Sequence, residues 1–240
     1  MDVISSFMAD HERVTLQFSA GKDSAACLKL LRPWIDRVIV LWCNPGDPYR
    51  ETIEYMGQIK ASVPVFVEVQ GTQREFVKQY GYPADSVPFI GNPYGRAAYR
   101  GTHKIVSIQE CCGTNLWIPL SQATKQTMTT GVVRGERLTD QLRSIIENLD
   151  VFDGQQYLNP LSDWTDSDVL KFLGDDLPPS YRRGLSSSLD CRTCTAYLNH
   201  NPGRIRDLRH SEPEAFAEIR PVLLWLREQA RDNFDNLCRG

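Results

Sequence analysis

Hydrophobic and polar positions in the first part of the chain predict strands separated by helices. Short apolar, β-rich runs occupy residues 14–18, 37–42 and 63–69, and helices are expected at 25–31 and at about 49–60. The run 37–42 is almost continuously apolar, which is typical of a strand covered on both faces of a parallel sheet. The order β-α-β-α-β therefore predicts the start of a doubly wound, mostly parallel α/β sheet.

Later segments predict a strand at 127–133, an amphipathic helix at 166–173 and a closing helix at 214–231. Thr165 or Asp166 is the expected N-cap of the second of these elements. Residues 81–101 are dense in Gly, Pro, Asn and Tyr and predict a long surface loop, which is either a lid over a site or a plain linker. We expect a main domain over residues 1–205 and a C-terminal helix with a loose polar tail over 206–240.

Composition and charge indicate which classes of binding partner and which cellular setting to expect. The 27 basic and 30 acidic side chains give a formal charge of −3, so no global field attracts nucleic acid or an anionic membrane. No apolar stretch approaches the roughly 20 residues of a membrane span, and the first residues lack the features of a secretory signal. These features predict a cytoplasmic protein that does not bind membranes. Seven cysteines in that setting favour metal or redox chemistry over a disulfide framework.

A loop rich in small residues lies between the first predicted strand and the first predicted helix. Small side chains let backbone N–H groups approach a phosphate, the helix dipole favours an anion, and a lysine adds positive charge. An ordinary turn capped by an aspartate is the plain alternative, but the strand and helix on either side favour an anion cradle. The Gly-Lys spacing of the Walker A loop is absent. The loop comprises Ser19, Ala20, Gly21, Lys22, Asp23 and Ser24.

Four cysteines form two local pairs, Cys111 with Cys112 and Cys191 with Cys194. Four thiolates in such pairs can hold a 4Fe-4S cluster or a tetrahedral zinc ion. Adjacent cysteines are unusual for zinc, whose paired ligands commonly have two to four residues between them.

The loop at 18–24 resembles the PP-loop of ATP pyrophosphatases, the superfamily that includes the adenylyl-sulfate (APS) and phosphoadenylyl-sulfate (PAPS) reductases. The two cysteine pairs resemble the cluster ligands of these sulfonucleotide reductases. Residues 130–137, 159–165 and 188–190 are similar, in the same order, to further segments of that family. The resemblance implies an adenine nucleotide alpha hydrolase-like fold, a 4Fe-4S cluster, and nucleotide or phosphate contacts from Cys43, Asn44, Gly131, Arg134, Arg137 and Arg143.

The other cysteines and the histidines have plainer interpretations. Cys27 is predicted to be a small buried side chain. Cys43 has the same plain interpretation, although the resemblance also places it near the nucleotide. Cys238 matches the position of the family's mobile nucleophile and is our candidate catalytic thiol together with Lys22. Residues 237–240 depart from the family's Glu-Cys-Gly-Leu/Ile-His signature. The four histidines are predicted to lie at the surface or to cap helices.

Two functions remain open. The first is reduction of APS or PAPS to sulfite, with a thiol reductant as partner. The second is ATP-dependent thiolation of tRNA or DNA, with a sulfur donor. The intact lysine of the loop favours ATP, because reductases usually lack it and because a smaller sulfate needs less positive charge. Mg²⁺ is a further candidate cofactor and a homodimer a candidate assembly. A nucleotide-binding protein without catalysis is disfavoured, since the loop and all four cysteines are intact.

Overall fold

The computed structural model describes residues 3–84, 105–140, 144–188, 190–198, 201 and 203–238. Within the last helix, the side chains of residues 229, 232–234 and 236–238 lie outside this description. The predicted loop at 81–101 falls mostly outside it as well. Its beginning, Tyr82–Ala84, forms a short strand.

Eight strands form two sheets. The larger sheet has the order β3-β2-β1-β6-β8-β7 and is parallel except for β7, and β4 pairs with β5 in a small parallel sheet. The strands are β1 (Val14–Gln17), β2 (Val38–Asn44), β3 (Val65–Gln70), β4 (Tyr82–Ala84), β5 (Ile105–Ser107), β6 (Gly131–Val133), β7 (Val151–Phe152) and β8 (Gln155–Leu158).

Helices fill most of the connections. They are α1 (Val3–Asp10), α2 (Lys22–Leu30), α3 (Arg50–Ser62), α4 (Gln73–Tyr80), α5 (Ile108–Cys112), α6 (Ile118–Gln126), α7 (Asp166–Leu173), α8 (Pro179–Arg182), α9 (Gly203–Ser211) and α10 (Pro213–Cys238). A π-helical turn at Gly113–Trp117 joins α5 to α6, and 3-10 turns follow α2 and α7. None of the helices in the described part of the chain combines the length and apolar character needed to cross a membrane.

The central strand β1 shows why helices cover both faces of the sheet. Alternate side chains of a strand point to opposite faces. Val14 and Leu16 are fully buried in the main core with α2, α3 and α7. Thr15 and Gln17 instead bond to hydroxyls at the end of α6 and just after it, with Thr15 Oγ1 2.7 Å from Thr129 Oγ1. One face is therefore apolar and the other is lined by hydroxyls. The predicted doubly wound, mostly parallel fold is confirmed.

Three local predictions need correction. The strand expected at 127–133 is limited to Gly131–Val133, because Thr127 ends α6 and its hydroxyl bonds to Thr15. The tail expected from Asp232 is helical to Cys238, since no Pro or Gly interrupts residues 232–238. His11 is buried, not superficial, and its ring nitrogens bond to Thr130 and Gln156.

Other local predictions hold. The capping box of α7, with Thr165 as N-cap and Asp168 at the third helical position, confirms that helix start. The proposed domain boundary between residues 205 and 206 falls inside α9, and the division stays a prediction.

Candidate functional site

The predicted phosphate loop lies at the edge of the sheet where the parallel strands β1, β2 and β6 end. It leaves β1 at Phe18, whose N–H donates to the Leu41 carbonyl of β2 at 2.8 Å. The segment after β6 approaches the same loop. Ligands of open α/β sheets bind beyond this carboxyl edge.

The loop closes on itself around Ser24. The Ser24 hydroxyl accepts the Ser19 N–H at 3.2 Å and donates to the Gly21 carbonyl at 3.0 Å. Ala20 has a φ of 62°, a left-handed conformation that a residue with a Cβ seldom adopts. Gly21 is the N-cap of α2 and no side chain caps the helix there. The start of α2 is thus arranged to offer backbone donors to an anion.

Tyr181 of α8 faces this helix start. Burial is the largest cause that raises the pKa of Tyr181, and the nearby Lys22 backbone N–H lowers it. A Cβ built on Gly21 would stand 3.6 Å from the Tyr181 oxygen and 3.7 Å from Ser188 Cβ. A side chain at Gly21 would therefore enter the space between the loop, Tyr181 and Ser188.

Lys22 is buried and its ammonium is held by two carboxylates. Its Nζ lies 2.9 Å from Asp23 Oδ2 and 2.9 Å from Asp166 Oδ1. The hydrogen bond from Lys22 is the main cause that lowers the pKa of Asp166, whereas burial raises the pKa of Asp23. Arg137 joins the same network through Asp23 and Asp166 and also pairs with Asp140 at 2.9 Å. Two cations and three carboxylates thus lie around the first turn of α2, with one negative charge in excess when all are ionised.

The segment after β6 presses against the anion loop. A Cβ on Gly135 would lie 2.7 Å from the Asp23 carbonyl carbon and 2.8 Å from the Ser24 nitrogen, so only a glycine fits there. Arg134 donates to the Ile146 carbonyl at 2.9 Å and lies over the Tyr157 ring. Its guanidinium is therefore committed to protein contacts.

The remaining predicted nucleotide residues occupy three places. Asn44 ends β2 and donates to Glu68 at 2.9 Å, while the Cys43 thiol donates to the Asn115 carbonyl at 3.6 Å. Burial raises the pKa of Cys43 to about 11. Gly131 begins β6, where a Cβ would collide with His11 and Phe7. Gly131 is therefore required by the packing of its neighbours. Arg143 lies outside the described residues.

The structure brings the four paired cysteines into one region. Cys112, Cys191 and Cys194 share an apolar cluster with Ile108 and Ala196. Burial, and after it the charge of Cys194, raises the pKa of Cys111 to about 12. The same two causes, in the same order, raise the pKa of Cys112 and of Cys191. These thiols are neutral near pH 7 unless a metal displaces their protons.

Two polar atoms near these thiols have no hydrogen-bond partner among the described residues. Arg204 is buried, and its Nη2 donates to the carbonyls of Cys194 and Ala196, whereas its Nε has no hydrogen-bond partner among the described residues. The buried Tyr49 hydroxyl also has no described partner. Both side chains lie close enough to Cys194 to feel its charge. A cationic donor and a neutral donor beside four thiols suit an anionic group rich in sulfur.

The thiols do not form a compact ligand group in the described part of the chain. Over the residues that the structure describes, no three His, Cys, Asp or Glu side chains are placed to hold one metal ion. A four-iron cube spreads its ligand sulfurs more widely than a single ion does. Four thiols have the donor chemistry that a 4Fe-4S cluster requires.

Cys238 is the last residue of α10. The buried part of this helix ends at Ile219, which packs with Tyr49 and Leu208. The 19 residues from Arg220 to Cys238 correspond to about 28 Å of helix. No described side chain of α10 beyond Ile219 is buried. The structure therefore places the Cys238 backbone at the end of α10, about five turns beyond the last buried side chain among those described.

Several residues of this region were missed by the sequence analysis. Tyr181, Asp166 and Arg204 are ordinary residues of short helices, and no local pattern marks them. Ser188 was noted only as part of the run before the second cysteine pair. Gly135 follows Arg134 directly, and a glycine at that position was a signal that could have been used.

Comparisons with known proteins agree with this architecture. The family model of the phosphoadenosine phosphosulfate reductase domain matches residues 13–196. A search of curated proteins gave no match. Among solved structures, phosphoadenylyl-sulfate reductase from Candida auris in a phosphate complex superposes with a TM-score of 0.50 at 16% identity, covering 73% of this chain and 80% of that one.

An ammonia-dependent NAD synthetase from Campylobacter jejuni, in complex with nitrate, gives a TM-score of 0.43 at 15% identity, with 92% and 89% of the two chains covered. At 16% identity the first superposition concerns the fold alone, and the second is too distant to support a conclusion. The family model, in contrast, covers more than half of the sequence, from just before β1 to just after the second cysteine pair. On that match, the chain belongs to the phosphoadenosine phosphosulfate reductase domain family.

Proposed function

We propose that the chain binds a sulfonucleotide, APS or PAPS, with its sulfate on residues 19–24, and reduces the sulfate to sulfite. One observation carries this proposal: neighbouring stretches of the chain border the anion loop and the thiols. Ser188 lies beside Gly21, and Cys191 and Cys194 come three and six residues further along the chain. Four thiols next to an anion cradle suit activated-sulfur chemistry better than nucleotide binding alone.

In the proposed reaction a cysteine thiolate attacks the sulfur of the sulfonucleotide. The bond from sulfur to the bridging oxygen breaks, and AMP or its 3′-phosphorylated form leaves with the electron pair. A thiol reductant then attacks the S-sulfocysteine, forming a disulfide and releasing sulfite. The start of α2 and Lys22 would hold the sulfate and phosphate oxygens by hydrogen bonds and positive charge.

Cys111, Cys112, Cys191 and Cys194 would hold the 4Fe-4S cluster. When bound, the cluster tunes the electrostatic potential beside the sulfate. Arg204 and Tyr49 would donate hydrogen bonds to it from the protein side. Cys43, with its pKa raised to about 11, is a poor nucleophile at neutral pH. Cys238 is therefore the proposed nucleophile, and a movement of the exposed end of α10 would carry it to the site.

Lys22 favours a second candidate, an ATP-dependent thiolation enzyme acting on a nucleic acid. The lysine is buried at the anion loop and is neutralised by Asp23 and Asp166 in the absence of ligand. An ammonium released from these carboxylates could stabilise the pyrophosphate that leaves when ATP adenylates a substrate oxygen. Mg²⁺ would then accompany the pyrophosphate, near the same carboxylates.

One experiment separates the two reactions. Full-length protein is purified without oxygen and incubated with APS, PAPS or ATP, each with a thiol reductant and with or without tRNA or DNA. Sulfite, AMP, its 3′-phosphorylated form and pyrophosphate are measured for the wild type, Lys22→Ala and Cys238→Ser. The reductase predicts sulfite from one sulfonucleotide, abolished in Cys238→Ser, with Lys22→Ala mainly weakening substrate affinity.

Full sulfite formation by Cys238→Ser would contradict the proposed nucleophile. Pyrophosphate release from ATP that requires a nucleic acid would establish the second candidate. In that case Lys22→Ala should lose on the order of a hundredfold in rate, as expected for removal of a charge-stabilising donor, and Cys238→Ser should react normally.

A further inference from the structure

Asp47 is a buried carboxylate in the turn that follows β2. Its Oδ1 lies 2.9 Å from Arg192 Nε and 3.1 Å from Arg74 Nε. Its Oδ2 accepts a hydrogen bond from the Thr193 hydroxyl. A carboxylate this deeply buried requires such partners, because an unpaired buried charge is strongly unfavourable.

Two of these partners are the residues between Cys191 and Cys194. Arg192 and Thr193 both bind the Asp47 side chain, and the Arg192 N–H also donates to the Asp47 carbonyl at 3.0 Å. Pro48 forms an antiparallel bridge with Cys191. The whole turn of the second cysteine pair is thus attached to the end of β2 by side chains and by backbone.

The two arginines that bind Asp47 also connect this turn to α10. Arg192 pairs with Glu212, next to the start of that helix, at 3.2 Å. Arg74 pairs with Glu218 inside it. The Glu212 side chain also accepts the Arg50 N–H at 2.9 Å, which ties this network to the start of α3.

We propose that Asp47 is a positioning residue that fixes the thiols of Cys191 and Cys194 in their place in the four-thiol site. It acts through Arg192 and Thr193 and touches neither thiol. The inference rests on the cluster site proposed above, but the position of the turn can be measured without a bound cluster. Removing a residue that holds a metal ligand in place commonly lowers the metal affinity by about 10- to 100-fold.

The test uses full-length protein stripped of metal under reducing conditions. Each cysteine is alkylated with iodoacetamide, and its rate is followed by mass spectrometry of the peptides. The variants are Asp47→Asn, which removes the charge, and Thr193→Val, which keeps the size and the buried ion pairs. Cys27 is fully buried in α2 and reports global unfolding. Thr195→Val is the matched control, since its hydroxyl bonds to the Pro83 carbonyl and not to Asp47.

We expect Cys191 to react on the order of tenfold faster in Asp47→Asn, since loss of hydrogen bonds to a charged group lets the turn open more often, and Cys194 to follow it. Thr193→Val should also raise the alkylation rates of both thiols, but by a smaller factor. Cys27 should stay unreactive, and Thr195→Val should leave the Cys191 rate unchanged. If Cys27 also becomes reactive in Asp47→Asn, that variant has unfolded, and Thr193→Val then tests the proposal. A Cys191 rate equal to the wild type in Thr193→Val would then overturn the proposal, and so would an unchanged rate in a folded Asp47→Asn protein.

A second readout is the iron content after anaerobic reconstitution with Fe²⁺ and sulfide, together with the electron paramagnetic resonance spectrum of the reduced protein. Asp47→Asn should retain less iron and show a changed spectrum, while a wild-type spectrum with full iron content would speak against a positioning role. A wild type that takes up no iron contradicts the cluster of the proposed function. The alkylation rates still test Asp47 in that case.

Discussion

Lys22 Nζ lies 2.9 Å from Asp166 Oδ1, so the first residue of α2 is paired with the first residue of α7. The two residues are far apart in sequence, and both helices pack in the main core. The pair places a negative charge beside the lysine that we expect to bind the nucleotide's anionic end. Asp166 therefore links the stability of the fold to the charge of the anion loop.

This pair predicts a pH dependence of stability. The hydrogen bond from Lys22 lowers the pKa of Asp166 in the folded protein below its value of about 3.9 in an unfolded chain. The contribution is thus present above about pH 4 and is lost as the pH falls through the folded pKa. Asp166→Asn should be less stable than the wild type at pH 7, and the difference should shrink as the pH falls below about 4.

Urea unfolding at a series of pH values measures this difference. Asp163→Asn is the control, since Asp163 is an exposed neighbour before the same helix. A constant difference between Asp166→Asn and the wild type from pH 7 to pH 3 would show that Lys22 does not stabilise the charged form of Asp166.

Gly135 predicts a packing effect on the anion loop. A Cβ there would meet the backbone of Asp23 and Ser24, which cannot move without shifting the start of α2. Gly135→Ala should cost about 1–3 kcal/mol in unfolding free energy, as overpacking commonly does, and should weaken phosphate binding. Gly57→Ala is the control, because a Cβ at that position of α3 meets open space. Calorimetric titration with inorganic phosphate and chemical denaturation give the two quantities, and wild-type values for both would contradict the contact.

Gly21 predicts a steric effect on binding alone. Its Cβ would point towards the Ser19 hydroxyl at 3.2 Å and towards Tyr181, all of which are side-chain atoms that can give way. Gly21→Val should therefore fold but lose affinity for phosphate and for adenine nucleotides, because the side chain occupies the ligand's space. Fluorescence or calorimetric titration measures the affinity. Unchanged nucleotide binding by a folded Gly21→Val protein would refute the anion cradle.

Arg204 predicts an electrostatic effect on the proposed cluster. Its buried positive charge lies near Cys194 and Cys191 and should favour the reduced, more negative state of the cluster. Arg204→Gln should shift the reduction potential of anaerobically purified protein to more negative values, as followed by redox titration. Arg206→Gln is the control, since Arg206 is exposed on the same helix. Equal potentials in the wild type and both variants would remove Arg204 from the environment of the cluster.

Local patterns in the sequence were sufficient to predict much of the fold and the position of the anion loop. Strands such as β2 and the start of α7 depend on short-range features, namely a run of apolar residues and a capping box within four positions. The glycine and lysine of the loop act through backbone conformation and charge close to their own position. The cysteine pairs were also visible, because each pair is local in the chain.

Tertiary structure decided which distant residues complete these local features. Asp166 reaches Lys22, Gly135 backs the start of α2, and Asp47 holds the second cysteine pair, each across a large separation in sequence. Such contacts depend on how strands and helices pack, and an aspartate or glycine carries no local mark of its future neighbour. The spacing of residues along the chain therefore determined the elements and their candidate chemistry, whereas the packing of the sheet edge determined the charges and close contacts around them.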